Sequence, residues 1–231
     1  MMAENEVVKY AKYYCGKDEP PAFYNEEFDL SDKIFFPRDD VGLKEKMFGK
    51  RRKGASENCV LHYFVSDGVQ SNLMKSFASD RKVHRRFYAV CSPDFSVDSD
   101  HCFSAFNNAA ILKNRICASL WQSEFGERVI LTLTWGDEST YHYAFSNIEE
   151  GATVAVSHQG VQNDHIFKKG FLAALKMIKP RIICWYGKTP DYAKETCAAR
   201  KIKVVKMQTR YSLVHALKTK DLMRHQQTLF A

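Results

Sequence analysis

The hydrophobic pattern of the chain changes at about residue 58. From there on, short runs of apolar and β-branched residues alternate with segments in which apolar residues recur at helical spacing. The runs predict strands at 59–65, 87–91, 128–134, 153–157, 181–186 and 202–207. The segments between them predict helices at 69–78, 101–124, 167–178 and 192–200, and a short strand or helix at 141–145. This alternation is typical of βαβ units around a parallel sheet.

The sequence therefore predicts an α/β fold with a mostly parallel sheet of five or six strands, flanked by helices. Near-continuous apolar runs such as 128–134 are typical of strands that are covered on both faces. Because so few strands cannot close an eight-stranded barrel, the alternatives are an open sheet and an incomplete barrel. No stretch approaches the roughly 18 apolar residues needed to cross a bilayer, so no membrane partner is predicted.

The same pattern predicts the domain organisation. We expect one α/β domain at 58–210, an irregular N-terminal arm at 1–57 and a polar C-terminal helix at 211–231. Pro20 and Pro21 interrupt regular structure within the arm.

Composition narrows the class of protein. The chain has 231 residues, with 34 Lys and Arg against 27 Asp and Glu, and a formal net charge of +7. Its seven cysteines are scattered, form no CxxC pair and lie partly in apolar runs. That usage is typical of buried thiols in a reducing cytoplasm, so we predict a cytoplasmic protein.

Positive charge is concentrated in two clusters. The first consists of Lys44, Lys46, Lys50, Arg51, Arg52 and Lys53, and the second of Arg81, Lys82, Arg85 and Arg86. Such clusters favour a polyanionic partner, namely nucleic acid. The alternative is a solvated surface with an excess of lysine.

Acidic residues follow the predicted strands, at the edge where ligands bind in open parallel sheets. Asp67, Asp94 and Asp137 each come after a different strand, and together they predict a site for Mg²⁺ or Mn²⁺. Asp94 and Asp137 are also the candidate catalytic carboxylates, and Ser96 is a candidate binding residue beside Asp94. The alternative for these aspartates is helix capping or turn formation.

Further polar and aromatic residues are candidates for the same edge. His158 is a candidate general base or metal ligand, with a polar loop role as the alternative. Arg115 and Lys188 are candidates for neutralising negative charge that develops on a phosphodiester. Trp135 is a candidate for stacking a base, with packing in the core as the alternative.

The longest predicted helix carries a polar stripe. Asn108, Arg115 and Gln122 recur every seven residues and therefore lie on one face, and Asn107 and Asn114 flank them. A solvated helix face normally carries Lys and Glu, so the stripe indicates contact with a ligand or with another segment. Buried hydrogen bonding is the alternative.

Residues 61–188 resemble a family of proteins from bacteria, phages and mobile elements that is classed as a domain of unknown function. The segments that carry the resemblance include LHYFVSD at 61–67, SPDFS at 92–96, TWGDE at 134–138 and WYGK at 185–188. SPDFS and TWGDE, in this order and at about this distance, are the most specific. The resemblance implies a shared α/β fold and a shared rim of residues at the strand ends, and it implies no particular activity.

The sequence leaves three functions open. P-loop, GxGxxG, HExxH and GxSxG motifs are absent, so the enzyme classes that depend on them lack support. We expect a phage-type or mobile-element protein that acts on nucleic acid or a nucleotide, by metal-assisted phosphodiester chemistry at the carboxyl ends of the strands. The alternatives are a non-enzymatic nucleic-acid-binding protein for replication or regulation, and a phage effector that binds and inhibits a host protein.

Overall fold

The computed structural model describes residues 24–25, 30–31, 44–47, 59–67, 77–98 and 104–207. The described strands are β1 Tyr24–Asn25, β2 Leu30–Ser31, β3 Lys44–Met47, β4 Cys59–Tyr63, β5 Ala89–Pro93, β6 Val129–Thr132, β7 Thr153–Ser157, β8 Ile182–Tyr186 and β9 Lys203–Met207. The described helices are α1 Phe77–His84, α2 Ser104–Phe125, α3 Tyr141–Phe145, α4 Asp164–Met177 and α5 Asp191–Ala199. Short 3₁₀ turns at Gly126–Arg128 and Glu138–Thr140 precede β6 and α3.

Strands β3 to β9 form one sheet in which the spatial order equals the chain order and every neighbouring pair is parallel. Ile182 of β8, for example, lies opposite Thr153 of β7 and Lys203 of β9. The six strands from β4 to β9 confirm the predicted α/β fold with its parallel sheet. Strand β3, from within the predicted N-terminal arm, adds a seventh strand beside β4.

The central strands are buried on both faces, as their continuous apolar runs predict. Every residue of β5, β6 and β8 is buried. One face of the sheet, which includes Leu61 and Leu131, packs against helical residues such as Ile111 and Phe171 in the larger core. Right-handed crossovers in a sequential parallel sheet place every connecting helix on that same face.

The opposite face is concave, because the sheet curls into a half-barrel. Its buried residues, such as Ala89 and Ile130, form a smaller core. Phe64, directly after β4, stacks on Tyr186 of β8 with ring centroids 4.7 Å apart and planes at 11°. Four strand spacings separate β4 from β8, which would be about 19 Å in a flat sheet. The ring contact therefore requires strong curvature, and of the two alternatives that the sequence left open the incomplete barrel is the one observed.

Helix α2 is held on the sheet by packing and by one buried hydrogen bond. Ile111, Ala118 and Trp121 recur at helical spacing and are buried. The ring of Trp121 packs on Tyr63 of β4, with centroids 5.2 Å apart. The amide of Asn114 donates a 2.7 Å hydrogen bond to the carbonyl of Thr132, at the end of β6. Burial of each large apolar side chain stabilises by about 1.5–3 kcal/mol, so α2 is fixed mainly through this face.

Two histidines lie in the cores in their neutral form. His84, the last residue of α1, hydrogen-bonds the Tyr63 hydroxyl and packs on Trp121. His62 of β4 packs on Tyr186, with ring centroids 4.7 Å apart. Burial lowers the pKa of His62 to about 4 and that of His84 to about 3.

Most predicted elements agree with the described ones to within a few residues. Strand β7 has the predicted bounds, and residues 141–145 form a helix. The predicted helix at 69–78 lies mostly outside the described residues, the predicted helix at 211–231 lies wholly outside them, and the predicted domain bounds stay a prediction. Within the described residues, no helix is long and apolar enough to cross a membrane. Four described cysteines are buried, as expected: Cys91, Cys117, Cys184 and Cys197.

Candidate functional site

A cleft of about 470 Å³ lies at the carboxyl ends of β5, β6 and β7. This volume is within the roughly 300–1,000 Å³ that is usual for small-molecule sites. Its walls are the loop after β5, the segment Leu133–Trp135 after β6, the turn after β7 and the first turn of α4. We call it the main cleft. It lies at the sheet edge where the sequence predicts a site.

Asp94 is one of two acidic residues that line the main cleft, and Asp98 is the other. Asp94 follows β5 directly and is half-buried. Burial, together with the negative charge of Asp67, raises the pKa of the Asp94 carboxyl to about 7. A carboxyl group with this pKa exchanges a proton readily at neutral pH, which is the property required of a general acid or base.

Asp67 holds the loop that carries Asp94. Its two carboxylate oxygens accept hydrogen bonds from the Ser96 amide at 3.2 and 3.3 Å, and Oδ1 accepts another from Ser96 Oγ at 3.1 Å. The structure thus brings together Asp67, Asp94 and Ser96 of the predicted site. Asp67 itself is exposed and does not line the cleft.

Asn107 of α2 fixes the far end of the same loop. Its Oδ1 accepts a 2.9 Å hydrogen bond from the Asp98 amide, and its Nδ2 donates a 2.7 Å bond to the Asp98 carbonyl. This pair of bonds ties residues 94–98 to the start of α2. The cleft wall is therefore positioned from both ends, by Asp67 and by Asn107.

The wall opposite this loop is aromatic. Trp135 lines the cleft and is only 6% exposed. Its ring packs between Phe145 and Phe167, at centroid distances of 5.7 and 4.8 Å. The indole Nε1 of Trp135 and Oγ1 of its neighbour Thr134, which also lines the cleft, are buried without a hydrogen-bond partner. Gly170 of α4 packs against the Nε1 side of the indole, whereas the Thr134 hydroxyl is a buried donor of the cleft wall that a bound ligand would satisfy.

Helix α4 begins at the cleft. Asn163 is its N-cap residue and accepts a 3.2 Å hydrogen bond from the Ile166 amide. The exposed side chains of Gln159 and Gln162 line the cleft beside this helix start. The N-terminal end of a helix carries partial positive charge, which favours electron-rich groups on a ligand.

His158 contacts a carboxylate outside the main cleft. Its Nε2 is 2.8 Å from Oδ1 of Asp164, which also accepts a 3.2 Å bond from the Tyr192 hydroxyl. The imidazole stands edge-on to Phe167, with ring centroids 4.8 Å apart. His158 therefore supports a residue of the cleft wall, while its neighbours Ser157 and Gln159 line the cleft itself.

Asp137 is separated from Asp94 by its local structure. It is the N-cap residue of the 3₁₀ turn at Glu138–Thr140, and its Oδ1 accepts bonds from Ser139 N at 3.1 Å and Ser139 Oγ at 2.5 Å. It lines a second, smaller cleft. No group of three or more His, Cys, Asp or Glu side chains in the described ranges is arranged to hold a metal ion. The three predicted metal ligands are therefore not brought together, because capping fixes Asp137 elsewhere.

The polar stripe of α2 is buried against the chain itself. Arg115, only 2% exposed, donates to the carbonyls of Ala144 at 3.3 Å and Ser146 at 2.8 Å. Burial lowers the pKa of its guanidinium to about 9. Asn114 and Gln122 are also buried, and Asn108 is half-buried. None of these four side chains lines the main cleft, so Arg115 ties α2 to α3 instead of facing a ligand there.

The remaining predicted site residues lie away from the cleft or outside the described residues. Lys188 is exposed, and its carbonyl accepts a 3.3 Å bond from Trp185 Nε1. Lys50, Arg51, Arg52 and Lys53 lie outside the described residues.

Sequence reasoning missed several residues of the main cleft. Phe106, Gln162 and Asn163 line it although none follows a strand directly. Phe106 lies within the predicted helix at 101–124, and its 65% exposure beside the cleft is visible only in the structure. Gln162 and Asn163 are polar residues before a helix, as is usual in loops. Their sequence alone does not show whether they cap the helix or contact a ligand.

Comparison with known proteins places the chain in a family. Residues 36–206 match the family described as "Domain of unknown function (DUF4417)". The chain belongs to this family. The resemblance to a family that includes phage proteins is thereby confirmed, and the DUF4417 match covers β3 and most of β9 as well as the cleft.

The curated relatives are mycobacteriophage proteins. The chain is 29% identical over 147 residues to the "Gene 1 protein" of Mycobacterium phage D29, which covers 60% of this chain and 52% of that protein. It is 28% identical over 145 residues to the "Gene 1 protein" of Mycobacterium phage L5, which covers 59% of this chain and 61% of that protein. The chain thus spans about half to three fifths of the length of these relatives. No solved structure matches the chain.

Proposed function

We propose that the main cleft binds the base of a nucleotide or of an unpaired nucleic-acid residue, and that Asp94 exchanges a proton with that base. The observation that carries the proposal is the Asp94 carboxyl, whose pKa is raised to about 7 inside a cleft at the carboxyl ends of parallel strands. Perturbed carboxyl groups in clefts cluster at functional sites.

The composition of the cleft wall suits a flat nitrogen heterocycle. Its aromatic residues are Phe95, Phe106, Trp135 and Phe167. Its amide residues are Asn107, Gln159, Gln162 and Asn163. Aromatic rings stack on bases, and amides pair with the donor and acceptor atoms of base edges. The buried, unpartnered Oγ1 of Thr134 adds a donor for the same purpose.

The two protonation states of Asp94 give it two roles toward a base. In its ionised form the carboxylate accepts hydrogen bonds from amino or imino groups. In its protonated form it donates to a ring nitrogen. Since its pKa is about 7, each form is well populated at neutral pH, so Asp94 can act as donor or as acceptor there.

A divalent cation is a further element of the proposal. The charge of Asp67 raises the pKa of Asp94, so the two carboxyl groups are close enough to interact. Mg²⁺ is commonly held by one or two carboxylates together with substrate phosphates. Asp67 and Asp94 would supply this pair for Mg²⁺ or Mn²⁺. Binding of either metal would then lower the pH at which Asp94 titrates.

The Asp94→Asn variant tests the proposal. We expect wild-type protein to bind nucleosides or nucleotides with an affinity that changes by up to about tenfold per pH unit near pH 7. In Asp94→Asn this pH dependence should disappear, and affinity should fall. Isothermal titration calorimetry between pH 6 and pH 8 measures both effects. Asp98→Asn removes the same charge from the same cleft and is the matched control. Equal pH profiles in the wild type and in Asp94→Asn would refute the role of Asp94.

The same variant has an expected effect on stability. A raised pKa in the folded state means that the stabilisation due to Asp94 is present at acid pH and is lost as the pH rises through about 7. At pH 8 the folded protein therefore holds a partly desolvated carboxylate. Asp94→Asn should raise the free energy of unfolding at pH 8 by about 1–3 kcal/mol, and should leave it much less changed at pH 5. Urea unfolding at the two pH values checks this.

A second candidate is sequence-independent nucleic-acid binding at the opposite edge of the sheet. Lys82 in the last turn of α1, and Arg85 and Arg86 in the loop before β5, are exposed at the amino end of that strand. If these residues contact phosphates, the affinity for DNA or RNA falls steeply with salt. Charge reversal of Arg85 and Arg86 should then weaken binding without altering the response of the main cleft to nucleosides. Nucleic-acid affinity that is independent of salt would exclude this candidate.

A further inference from the structure

A second cleft of about 250 Å³ lies beside the main cleft. Ile166, in the first turn of α4, lines both clefts. The TWGDE segment divides its residues between them, because Trp135 lines the main cleft and Asp137 and Glu138 line the second. The two clefts are therefore neighbours that share the Ile166 side chain as part of their walls.

The two clefts differ in charge. The main cleft is lined by Asp94 and Asp98, and no lysine or arginine occurs among the described residues that line it. The second cleft is lined by the acidic residues Asp137 and Glu138, but it also contains Lys169 and His165, which are exposed and lie four residues apart on one face of α4. The main cleft thus suits an uncharged heterocycle, and the second cleft contains the cationic group that an attached anion requires.

The second cleft also offers hydrogen-bonding groups for hydroxyls. The hydroxyl oxygen of Tyr141 is buried without a hydrogen-bond partner. Burial, with the nearby charges of Glu138 and Asp137, raises the pKa of Tyr141, so its hydroxyl stays protonated and remains a donor. The carboxylates of Asp137 and Glu138 are acceptors on the same wall.

We propose that the second cleft is the sugar–phosphate subsite of the ligand whose base occupies the main cleft, so that the ligand is a nucleotide and not a nucleoside. The inference rests on the proposed function of the main cleft. Lys169 contacts the phosphate by an ion pair and His165 by a hydrogen bond, and the partial positive charge at the start of α4 favours the same group. Tyr141 and the two carboxylates face the sugar hydroxyls.

Calorimetric titration of the full chain with the four ribonucleosides and their 5′-monophosphates tests this subsite. We expect at least one monophosphate to bind about tenfold or more tightly than its nucleoside, because a charge-assisted contact to phosphate is added. Lys169→Ala should remove most of this difference and leave nucleoside affinity unchanged. Tyr141→Phe removes the hydroxyl that contacts the sugar, so it should weaken the binding of the nucleoside and of its monophosphate alike.

Lys168→Ala is the matched control, since it removes the same charge from the neighbouring position of α4. The Lys168 ammonium lies over the Tyr192 ring, 5.1 Å from its centroid, and lines neither cleft. We expect this variant to keep the full preference for the monophosphate. An equal loss in Lys168→Ala and Lys169→Ala would overturn the subsite, because it would show a long-range charge effect.

The outcomes separate this inference from the function on which it rests. Equal binding of nucleoside and monophosphate to wild-type protein overturns the phosphate subsite and leaves the base site intact. A preference that Lys169→Ala does not reduce also overturns it. Failure of every nucleoside and nucleotide to bind overturns the proposed function itself.

Discussion

Lowering the pH from 6.5 to 4.5 should decrease the free energy of unfolding by about 3 kcal/mol. His62 and His84 are buried and have pKa values lowered to about 4 and about 3. In the unfolded chain both imidazoles take up a proton near pH 6.5, whereas the folded state resists protonation. Each histidine therefore destabilises the folded state by about 1.4 kcal/mol per pH unit below 6.5. Stability is fully present above pH 6.5 and is lost as the pH falls.

Asp94 opposes the two histidines over the same range. Because its pKa is raised, Asp94 is protonated in the folded state at pH values where it is ionised in the unfolded chain. Its contribution to the free energy of unfolding therefore rises as the pH falls below about 7. The net slope is that of one group, about 1.4 kcal/mol per pH unit, because two histidines act against one aspartate. Stability should therefore be highest close to pH 6.5.

Urea unfolding at half-unit pH intervals measures this profile. The Asp94→Asn variant should double the slope below pH 6.5, and His62→Gln should reduce it by about 1.4 kcal/mol per pH unit. His165→Gln is the control, since this exposed imidazole is hydrated in both states. A flat wild-type profile between pH 4.5 and pH 6.5 would contradict the burial of the two histidines.

The Gly170→Ala substitution should lower the free energy of unfolding by about 1–3 kcal/mol and impair the main cleft. A Cβ atom at this position of α4 would lie 2.1 Å from both Cδ1 and Nε1 of Trp135. The indole cannot withdraw easily, because it is packed against Phe145 and Phe167. The clash outweighs the roughly 1 kcal/mol by which alanine is favoured over glycine within a helix. Urea unfolding gives the loss in stability, and nucleotide titration gives the loss of the site.

A double-mutant cycle identifies the cause of this loss. In a Trp135→Leu background the ring that meets the new Cβ is absent, so Gly170→Ala should become neutral or slightly stabilising. Leu172→Ala, at a more exposed position of the same helix, is the control for side-chain changes on α4. A loss of stability that is the same in both backgrounds would show that Gly170 does not act through Trp135.

The sheet was predictable because each strand carries its own signal. Runs such as those of β6 and β8 are apolar at successive positions, which only a strand covered on both faces explains. The curvature was not predictable to the same degree. It depends on contacts between distant strands, such as the stacking of Phe64 on Tyr186, and no local pattern in the sequence encodes such a pair.

The edge that carries the main cleft was predictable from topology, and the grouping of its side chains was not. Parallel strands place Asp67, Asp94 and Asp137 at one edge, but that edge is wide and curved. Asp137 accepts a hydrogen bond from the Ser139 amide and thereby caps the 3₁₀ turn at Glu138–Thr140. Arg115 donates hydrogen bonds to the carbonyls of Ala144 and Ser146. Such local hydrogen bonds decide where a polar side chain faces, and residue spacing alone does not reveal them.

The pH titration of Asp94 tests the central claim most directly. Carboxyl-carbon NMR spectra of wild-type protein would be recorded from pH 4 to pH 9, with Asp94→Asn identifying the Asp94 signal. We expect this carboxyl to titrate near pH 7, and its midpoint to move when a saturating nucleotide fills the main cleft. Titration of Asp94 near pH 4, or a midpoint near 7 that no nucleoside or nucleotide displaces, would contradict the assignment of the main cleft as a base-binding site.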